Sequence, residues 1–261
     1  MTFLQKLQKA IAKNNSLLCI GLDPDPSKFP QGVNDIFQFN KAIIDATADL
    51  VCAYKPNSAF YEALGDKGIK ALQKTIEYIH HRYTCIPVIL DAKRGDIDST
   101  NNGYVTFAFE FLGADAITLH PYLGQEALAP FLTREDKGCI ILCKTSNKGS
   151  GEFQDLQTNG KPLYLRVASR VAKIWNTKNN CLLVVGATYP EQLKEVRKVA
   201  PGLFLLIPGV GAQGGDLEVT LKNGLRGDKS GLIICASRSI IFAKSARKEA
   251  EKLQQAINTY G

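Results

Sequence analysis

Eight apolar stretches recur along the chain, and each one ends in glycine or polar residues. Most are nearly continuous, without the alternation of apolar and polar positions that marks a strand with one wet face. Such runs are typical of strands buried on both faces of a parallel sheet. We therefore predict strands at 16–23, 51–57, 85–93, 115–124, 138–147, 181–188, 203–211 and 231–239.

Helical patterns lie between most of these strands, with apolar residues at i, i+3 and i+4. The predicted helices cover 35–50, 65–83, 101–113, 162–175, 189–200 and 242–260. Eight strands that alternate with helices predict an α/β fold of the (β/α)8 type, a TIM barrel, and a doubly wound sheet is the alternative. Because no linker rich in proline, glycine or serine divides the chain, we expect residues 1–261 to form a single domain.

The carboxyl ends of the predicted strands are unusually polar. In TIM barrels the chemistry takes place there, where strands end and the following loops begin. Most of these ends carry a charged group, an amide or a glycine loop: Asp23, Lys55 with Asn57, Asp91 with Lys93, Ser146 with Asn147, the loop 208–211, and Arg238. The sequence thus predicts a polar site at one end of the barrel.

The stretch LDAKRGDIDSTNNG, residues 90–103, carries the most distinctive charge pattern. Asp91 and Lys93 are two residues apart on a strand, so both are expected to face the barrel mouth while Ala92 faces outward. Asp96 follows just past the strand end. A lysine between two carboxylates keeps its proton, because opposite charges favour its charged form, and it could deliver that proton to a carbanion. A surface ion-pair cluster is the alternative interpretation.

Lys55 ends the preceding strand and could extend this cluster into an alternating array of two lysines and two carboxylates. The charges of such an array nearly cancel, which allows it to persist in a partly dry site. Taken alone, Lys55 would more often be a surface lysine whose stem covers apolar surface.

The loops after strands seven and eight suit a phosphate. PGVGAQGGD, residues 208–216, offers glycine N–H groups ahead of a short helix, and Arg238 offers a bidentate guanidinium. Barrels commonly bind phosphate at these two loops, although a lone glycine loop is usually only a turn. Ser146 could hydrogen-bond a heterocycle or cap its own loop. The GSGEF stretch after it, residues 149–153, could close as a lid.

Charge narrows the class of partner. The formal net charge is +7 with a pI near 9.0, which favours an anionic partner. The basic residues are dispersed and no basic stretch is interleaved with aromatic residues, so a small phosphorylated molecule is favoured over nucleic acid.

Cysteine usage and hydropathy indicate the compartment. The seven cysteines form no CxxC and several lie inside apolar runs, which indicates reduced core thiols. We find no signal peptide and no apolar run of the roughly 18 residues that a membrane span needs, and we therefore expect a cytoplasmic protein. His120 is expected to be structural. No cluster has metal-ligand spacing, so no metal is expected.

Seven segments together resemble the orotidine 5′-phosphate decarboxylase (OMP decarboxylase) family. They are GLDPDP, YKPNSAFYEALG, DAKRGDIDSTN, HPYLG, KTSN, PGVGAQGGD and ASRSI, spread over nearly the whole chain. The D-x-K-x-x-D element alone is shared with related barrels, whereas the full set is specific. The resemblance implies conversion of orotidine 5′-monophosphate to UMP and CO2 in de novo pyrimidine biosynthesis, without a metal or an organic cofactor. Asp98 departs from the glycine that is frequent in this branch, and we expect a local loop difference there.

The resemblance also implies residue roles. Asp91 would lie against the substrate carboxylate, and Lys93 would protonate C6 of the pyrimidine after CO2 leaves. Lys55 would complete the charge array and touch the ribose. Asp96 and Thr100 would reach the site of the neighbouring subunit, which implies a homodimer with shared active sites. The remaining substrate contacts would be Asp23 on the ribose hydroxyls, Ser146 on the pyrimidine, Ile97, and, on the 5′-phosphate, Gln213 and Arg238 with the backbone of Gly209 to Gly211.

Three alternatives stay open. A magnesium-dependent sugar-phosphate decarboxylase or synthase of the same barrel group shares the D-x-K-x-x-D element but has an acidic residue near the end of strand two, where this chain has Lys55. A non-catalytic nucleotide-binding or nucleic-acid-binding protein is the more remote alternative. The chain could also correspond to the decarboxylase half of a bifunctional UMP synthase that carries an orotate phosphoribosyltransferase.

Overall fold

Eight parallel strands form one sheet in the computed structural model, which describes residues 1–210 and 214–260. Seven of the eight predicted apolar segments contain one of them, and the strand in segment 85–93 runs one residue beyond it, to Arg94. The strands are β1 Leu18–Leu22, β2 Ala53–Pro56, β3 Ile89–Arg94, β4 Ala116–Leu119, β5 Gly138–Lys144, β6 Cys181–Val185, β7 Leu205–Pro208 and β8 Leu232–Ala236.

The sheet closes into a barrel. Its hydrogen-bonded order runs β2-β1-β8-β7-β6-β5-β4-β3, which leaves β2 and β3 at the two ends. These ends meet through parallel bridges between Tyr54 and Val88 and between Asn57 and Asp91. The N–H of Ser58 also donates to the Asp91 carbonyl at 3.2 Å. The TIM barrel predicted from the sequence is therefore confirmed, and the doubly wound alternative was wrong.

Helices connect the strands, and all six predicted helices are present. The helix Gly124–Leu132 between β4 and β5 was not predicted; it contains Pro130. The helices are α1 Phe3–Asn14, α2 Ile36–Thr47, α3 Ala59–Glu62, α4 Gly65–Arg82, α5 Asp98–Val105, α6 Gly124–Leu132, α7 Gly151–Gln154, α8 Leu163–Arg170, α9 Pro190–Val199, α10 Leu217–Gly224, α11 Arg238–Ile241 and α12 Ala246–Tyr260. Shorter elements are the π-helical turns Thr106–Phe111 and Val171–Trp175, the 3-10 turns Pro26–Lys28 and Lys148–Ser150, and a hairpin of Gln157–Thr158 with Lys161–Pro162.

The core has two layers because side chains alternate between the faces of each strand. On β1, Leu18 and Ile20 pack in the larger layer between sheet and helices, while Cys19 belongs to the layer inside the barrel. Phe3 and Leu7 of α1 are buried in that inner layer. Helix α1 therefore covers the amino-terminal end of the barrel, opposite the polar strand ends. Within the described residues, none of the helices is long and apolar enough to cross a membrane.

Candidate active site

The polar strand ends surround one cavity of about 530 Å³ at the carboxyl end of the barrel. Its wall combines residues from β1 to β8 and the loops that follow them. Seven of the predicted site residues line it: Asp23, Lys55, Asp91, Lys93, Ser146, Gly209 and Arg238. Chain segments more than 200 residues apart in sequence are thus brought to one place by closure of the barrel.

Asp91 lies at the centre of a charged triad. Its Oδ2 accepts a hydrogen bond from Lys55 Nζ at 2.8 Å, and its Oδ1 accepts one from Lys93 Nζ at 2.6 Å. The sequence interpretation placed Lys93 between two carboxylates, whereas within this chain a carboxylate lies between two lysines. The reason is the turn at Gly95, after which the Oδ1 of Asp96 accepts the N–H of Ile97 at 2.8 Å.

Burial and neighbouring charges shift the pKa values of the buried residues of this triad in opposite directions. Lys55 and Asp91 are only 6% and 9% exposed, whereas the Lys93 side chain is about half exposed to the cavity. Burial alone would raise the pKa of Asp91, but the charges and hydrogen bonds of the two lysines hold it well below its usual range. Burial alone would lower the pKa of Lys55, but attraction to Cys235, Asp91 and Asp23 raises it above the ordinary value for lysine. The buried pair therefore stays ionised at neutral pH.

The end of β3 is irregular, which determines where Lys93 lies. The register against β4 shifts between Leu90 and Arg94, and Lys93 has a φ of +48°, in the left-handed region. The hydroxyl of Thr118 on β4 accepts the N–H of Lys93 and donates to Asp91 Oδ1, both at 2.9 Å. The Lys93 side chain nevertheless faces the mouth, and Ala92 packs toward the helices, as the two-residue spacing predicted.

Glycine is required at position 95, where β3 passes close to the end of β4. Gly95 has a φ of +151°, and a Cβ built there would lie 2.9 Å from both the Nε2 and the carbonyl oxygen of His120. The N–H of His120 donates to the Arg94 carbonyl at 2.9 Å. His120 thus packs against the turn that follows Lys93, which is a structural role, as the sequence indicated.

Asp23 presents a fixed carboxylate just past the end of β1, beside the strand that carries Lys55. Its Oδ1 accepts the N–H of Asn57 at 3.2 Å, and its Oδ2 accepts the hydroxyl of Ser237 at 2.7 Å. These bonds connect the ends of β1, β2 and β8. The carboxylate is thereby oriented before any ligand arrives, which suits recognition of hydroxyl groups.

Ser146 is half-buried in the loop after β5, and contacts on both sides hold that loop. Lys144 is fully buried and forms an ion pair with Asp155 at 2.7 Å, which fixes the far end of the loop. The side chain of Gln154 exchanges two hydrogen bonds of 2.9 Å with Thr145. On the other side the loop packs on β6, where the N–H of Gly186 donates to the Lys144 carbonyl at 2.7 Å.

The loop expected to bind phosphate follows β7. Gly209 has a φ of +97°, and its carbonyl accepts the N–H of Gly215 at 3.1 Å, so the chain folds back on itself at this point. Arg238 is exposed at the rim, where it begins α11 after β8. The predicted residues Gly211 and Gln213 lie outside the described part of the chain.

The remaining predicted residues, Asp96, Ile97 and Thr100, lie outside this cavity, on the loop and first turn after β3. Ile97 and Thr100 are exposed. They therefore do not line the cavity of their own chain.

Several polar residues line the cavity that were not among the predicted site residues. The strand-end rule singled out Asn57 and Asn147 without assigning them a role, and it could also have included Ser237. Thr118 lies within an apolar strand, where the sequence offers no signal. The full set is Asn57, Thr118, Thr145, Asn147, Gln154, Ser237 and Ser239.

Over residues 1–210 and 214–260, no three His, Cys, Asp or Glu side chains come together in a way that could hold a metal ion.

Comparison with known proteins decides the family. The model of the orotidine 5′-phosphate decarboxylase / HUMPS family matches residues 16–253. The chain belongs to this family. Its curated members include the orotidine 5′-phosphate decarboxylase of Cellvibrio japonicus, 50% identical over 271 residues that cover 99% of this chain and 98% of the relative. The enzyme of the same name from Herpetosiphon aurantiacus is 52% identical, with 98% of this chain and 99% of the relative covered.

Solved structures of family members agree with the fold. The OMP decarboxylase of Leishmania donovani has a TM-score of 0.91 at 41% identity, covering 100% of this chain and 98% of that one. The UMP synthase of the same organism has a TM-score of 0.93 at 43% identity; all of this chain is covered, but only 56% of that longer chain.

Proposed function

We propose that this chain is an OMP decarboxylase that converts orotidine 5′-monophosphate to UMP and CO2 in de novo pyrimidine biosynthesis. The observation that carries the proposal is the triad of Lys55, Asp91 and Lys93, partly buried at the mouth of the barrel. The family description spans more than one activity, and the curated relatives, named as orotidine 5′-phosphate decarboxylases, support this one. The triad and the cavity around it lie within one chain.

The proposed binding mode follows the order of these residues around the cavity. The 5′-phosphate lies against the loops of Gly209 and Arg238, with Gly211 and Gln213 as further contacts. Asp23 and Lys55 hold the ribose hydroxyls, and Ser146 reads the pyrimidine. The substrate carboxylate then lies beside Asp91. Binding energy from the remote phosphate stabilises this closed arrangement, in which the reacting carbon lies next to the triad.

The triad then acts on C6 of the pyrimidine. The bond from C6 to the carboxylate breaks, CO2 departs, and the electron pair stays on C6 as a vinyl carbanion. The ammonium of Lys93 donates a proton to that pair, which forms the C6–H bond of UMP. Because the lysine charges are already in place, little reorganisation is needed as negative charge develops at C6.

A homodimer with shared sites is part of the proposal, with Asp96, Ile97 and Thr100 reaching the partner's cavity. Their position outside their own cavity supports it. So do exposed apolar side chains on the loops after β3 and β4: Ile97 is 55% exposed and Tyr122 is 86% exposed. The two loops follow neighbouring strands, and apolar side chains clustered at a surface mark protein contacts.

We further propose that catalysis requires neither a metal nor an organic cofactor and takes place in the cytoplasm. Lys55 supports metal independence, because the end of β2 presents a buried cation where a magnesium enzyme of this barrel group would present a carboxylate. Loss of activity in EDTA, with recovery on adding Mg²⁺, would instead favour the sugar-phosphate enzymes. The UMP synthase structure supports a natural context in which such a domain is joined to, or acts beside, an orotate phosphoribosyltransferase.

The direct test follows the loss of orotidine 5′-monophosphate absorbance on addition of enzyme. Wild type is expected to turn over, and Lys93→Ala is expected to lower kcat about a thousandfold or more, since it removes the proton donor and a fixed positive charge. Lys70→Ala is the matched control, because the Lys70 side chain is 71% exposed on α4. Wild type without turnover, or Lys93→Ala with normal turnover, would contradict the proposal.

A further inference from the structure

Thr118 has a position unlike that of any residue assigned above. It lies on β4, is 1% exposed, and borders the cavity beside the triad. Its hydroxyl makes two hydrogen bonds to different parts of the β3 end, one with the Lys93 backbone and one with the Asp91 side chain, each of 2.9 Å. The buried hydroxyl therefore donates its single hydrogen to one bond and accepts the other bond with a lone pair of its oxygen.

The first bond supports an unusual backbone. Lys93 has a left-handed φ of +48°, which is strained for a residue with a side chain and persists only where its surroundings hold it. The strand register shifts at the same point, between Leu90 and Arg94. The Thr118 hydroxyl accepts the Lys93 N–H there, so a side chain replaces the carbonyl that a regular ladder would offer.

The second bond fixes the carboxylate. Because the hydroxyl has a single hydrogen and its oxygen accepts from Lys93, that hydrogen is free to point at Asp91 Oδ1. The same Oδ1 accepts the bond from Lys93 Nζ. One hydroxyl therefore contacts both the backbone that carries the lysine and the carboxylate that orients its ammonium.

We propose that Thr118 is a positioning residue for the proton transfer to C6, acting through Asp91 and Lys93. The inference rests on the proposed decarboxylase function and deepens it. Proton donation requires the ammonium within hydrogen-bond reach of the carbon, and displacement by about 1 Å can cost about a hundredfold in rate. Without the hydroxyl, both the Lys93 backbone and the Asp91 carboxylate lose a restraint.

The test compares three substitutions at this position. Thr118→Val keeps the shape and removes the hydroxyl, and it is expected to lower kcat about ten- to a hundredfold with KM changed less than about threefold. Thr118→Ser keeps the hydroxyl and is expected to restore kcat to within about threefold of wild type. Thr118→Ala also removes the hydroxyl but puts no methyl group in its place. Its kcat is expected to match that of Thr118→Val, and it replaces that variant in the test if Thr118→Val misfolds. Thr75→Val is the control, since Thr75 is equally buried but lies on α4.

Crystal structures of the variants give a readout independent of turnover. The contact of Lys93 Nζ with Asp91 Oδ1 and the left-handed φ of Lys93 are expected to be lost in Thr118→Val and kept in Thr118→Ser. An inactive wild type would refute the decarboxylase proposal, and the structures would still decide the role of Thr118. Unchanged kcat in an active Thr118→Val or Thr118→Ala enzyme, an unchanged contact, or a serine variant as slow as valine would overturn the inference.

Discussion

Asp91 holds two lysines in place, although its own burial disfavours a charge. Isolated removal of either lysine would leave a buried carboxylate with half its compensation, and removal of Asp91 would leave two neighbouring cations. The substrate of the proposed reaction brings a second carboxylate to this position. Two lysines and one carboxylate give the triad a net charge of +1, which attracts an anionic substrate. Lys93 is the member of the triad whose side chain is exposed to that substrate.

Gly186 offers a test of the pyrimidine side at the level of one residue. A Cβ built there would lie 2.7 Å from both Cα and Cβ of Ser146, which is too close for real atoms. Gly186→Ala is therefore expected to displace Ser146 and to raise KM for orotidine 5′-monophosphate about tenfold or more. Initial rates over a range of substrate concentrations measure the effect.

Gly202→Ala is the matched control, because nothing lies within 4 Å of a Cβ at Gly202. It is expected to leave KM unchanged. A normal KM for a folded Gly186→Ala enzyme would show that Ser146 does not depend on this packing.

Residue spacing predicted part of the site and missed part of it. The two-residue period of a strand was sufficient to place Asp91 and Lys93 on the cavity side. It could not show the left-handed φ of Lys93, where the Lys93 N–H donates to the hydroxyl of Thr118, a residue 25 positions later in sequence. The sequence also left open whether Lys55 is a surface lysine or a site lysine. Its position beside Asp91 follows only from the bridges between β2 and β3 that close the barrel.

At the level of secondary-structure elements, Asp115 connects three elements at the amino-terminal end of the barrel. It immediately precedes β4, and its carboxylate accepts bonds from Lys6 of α1 at 2.9 Å, from His80 of α4 at 2.8 Å and from the N–H of Val88 at 2.7 Å. Burial would raise the pKa of Asp115, but the bond and charge of His80 and the charge and bond of Lys6 lower it below the ordinary value of an aspartate.

Asp115→Asn is expected to lower the free energy of unfolding by about 2–4 kcal/mol at neutral pH, because it removes the charge that these partners share. A carboxyl group with a lowered pKa in the folded state stabilises the fold above its unfolded pKa, and that contribution disappears as pH falls through the folded pKa. The difference between wild type and variant should therefore be present at neutral pH and shrink as the pH falls through the lowered pKa of Asp115.

Urea denaturation across this pH range measures the difference. Asp136→Asn is the control, since the Asp136 side chain is 59% exposed and its nearest ion pairs are 3.8 Å and 3.9 Å long. A stability difference for Asp115→Asn that does not change with pH would show that the carboxylate charge is not the cause.

The sequence predicted the strands well for a physical reason: continuous apolar runs bounded by polar strand ends have few other interpretations in an α/β chain. Helix α6 was missed because Pro130 lies inside it and Gly124 begins it, and both residues weaken a helical pattern. The structure shows that packing compensates, since Leu128 and Phe131 of α6 are buried in the outer core. Tertiary contacts there override local preference.

At the level of the whole molecule, the proposed homodimer has a quantitative consequence. Asp96→Ala and Lys93→Ala enzymes should each be nearly inactive, because every site lacks one residue. Random exchange of subunits in an equal mixture makes half of the dimers mixed, and each mixed dimer has one intact site. Activity should therefore recover to about a quarter of the wild-type value per subunit.

The control mixes Lys93→Ala with a Lys93→Ala/Asp96→Ala double variant, which can form no intact site. Mass spectrometry of tagged subunits verifies that exchange has taken place. Exchange without recovery of activity would exclude a cross-subunit role for Asp96.

Helix α1 affects where ligands can enter and leave the barrel. Phe3 and Leu7 fill the amino-terminal end of the barrel interior, so the layers of side chains form a floor beneath the triad. In the described part of the chain, the mouth at the carboxyl end of the barrel is therefore the expected route for the substrate, the nucleotide product and CO2.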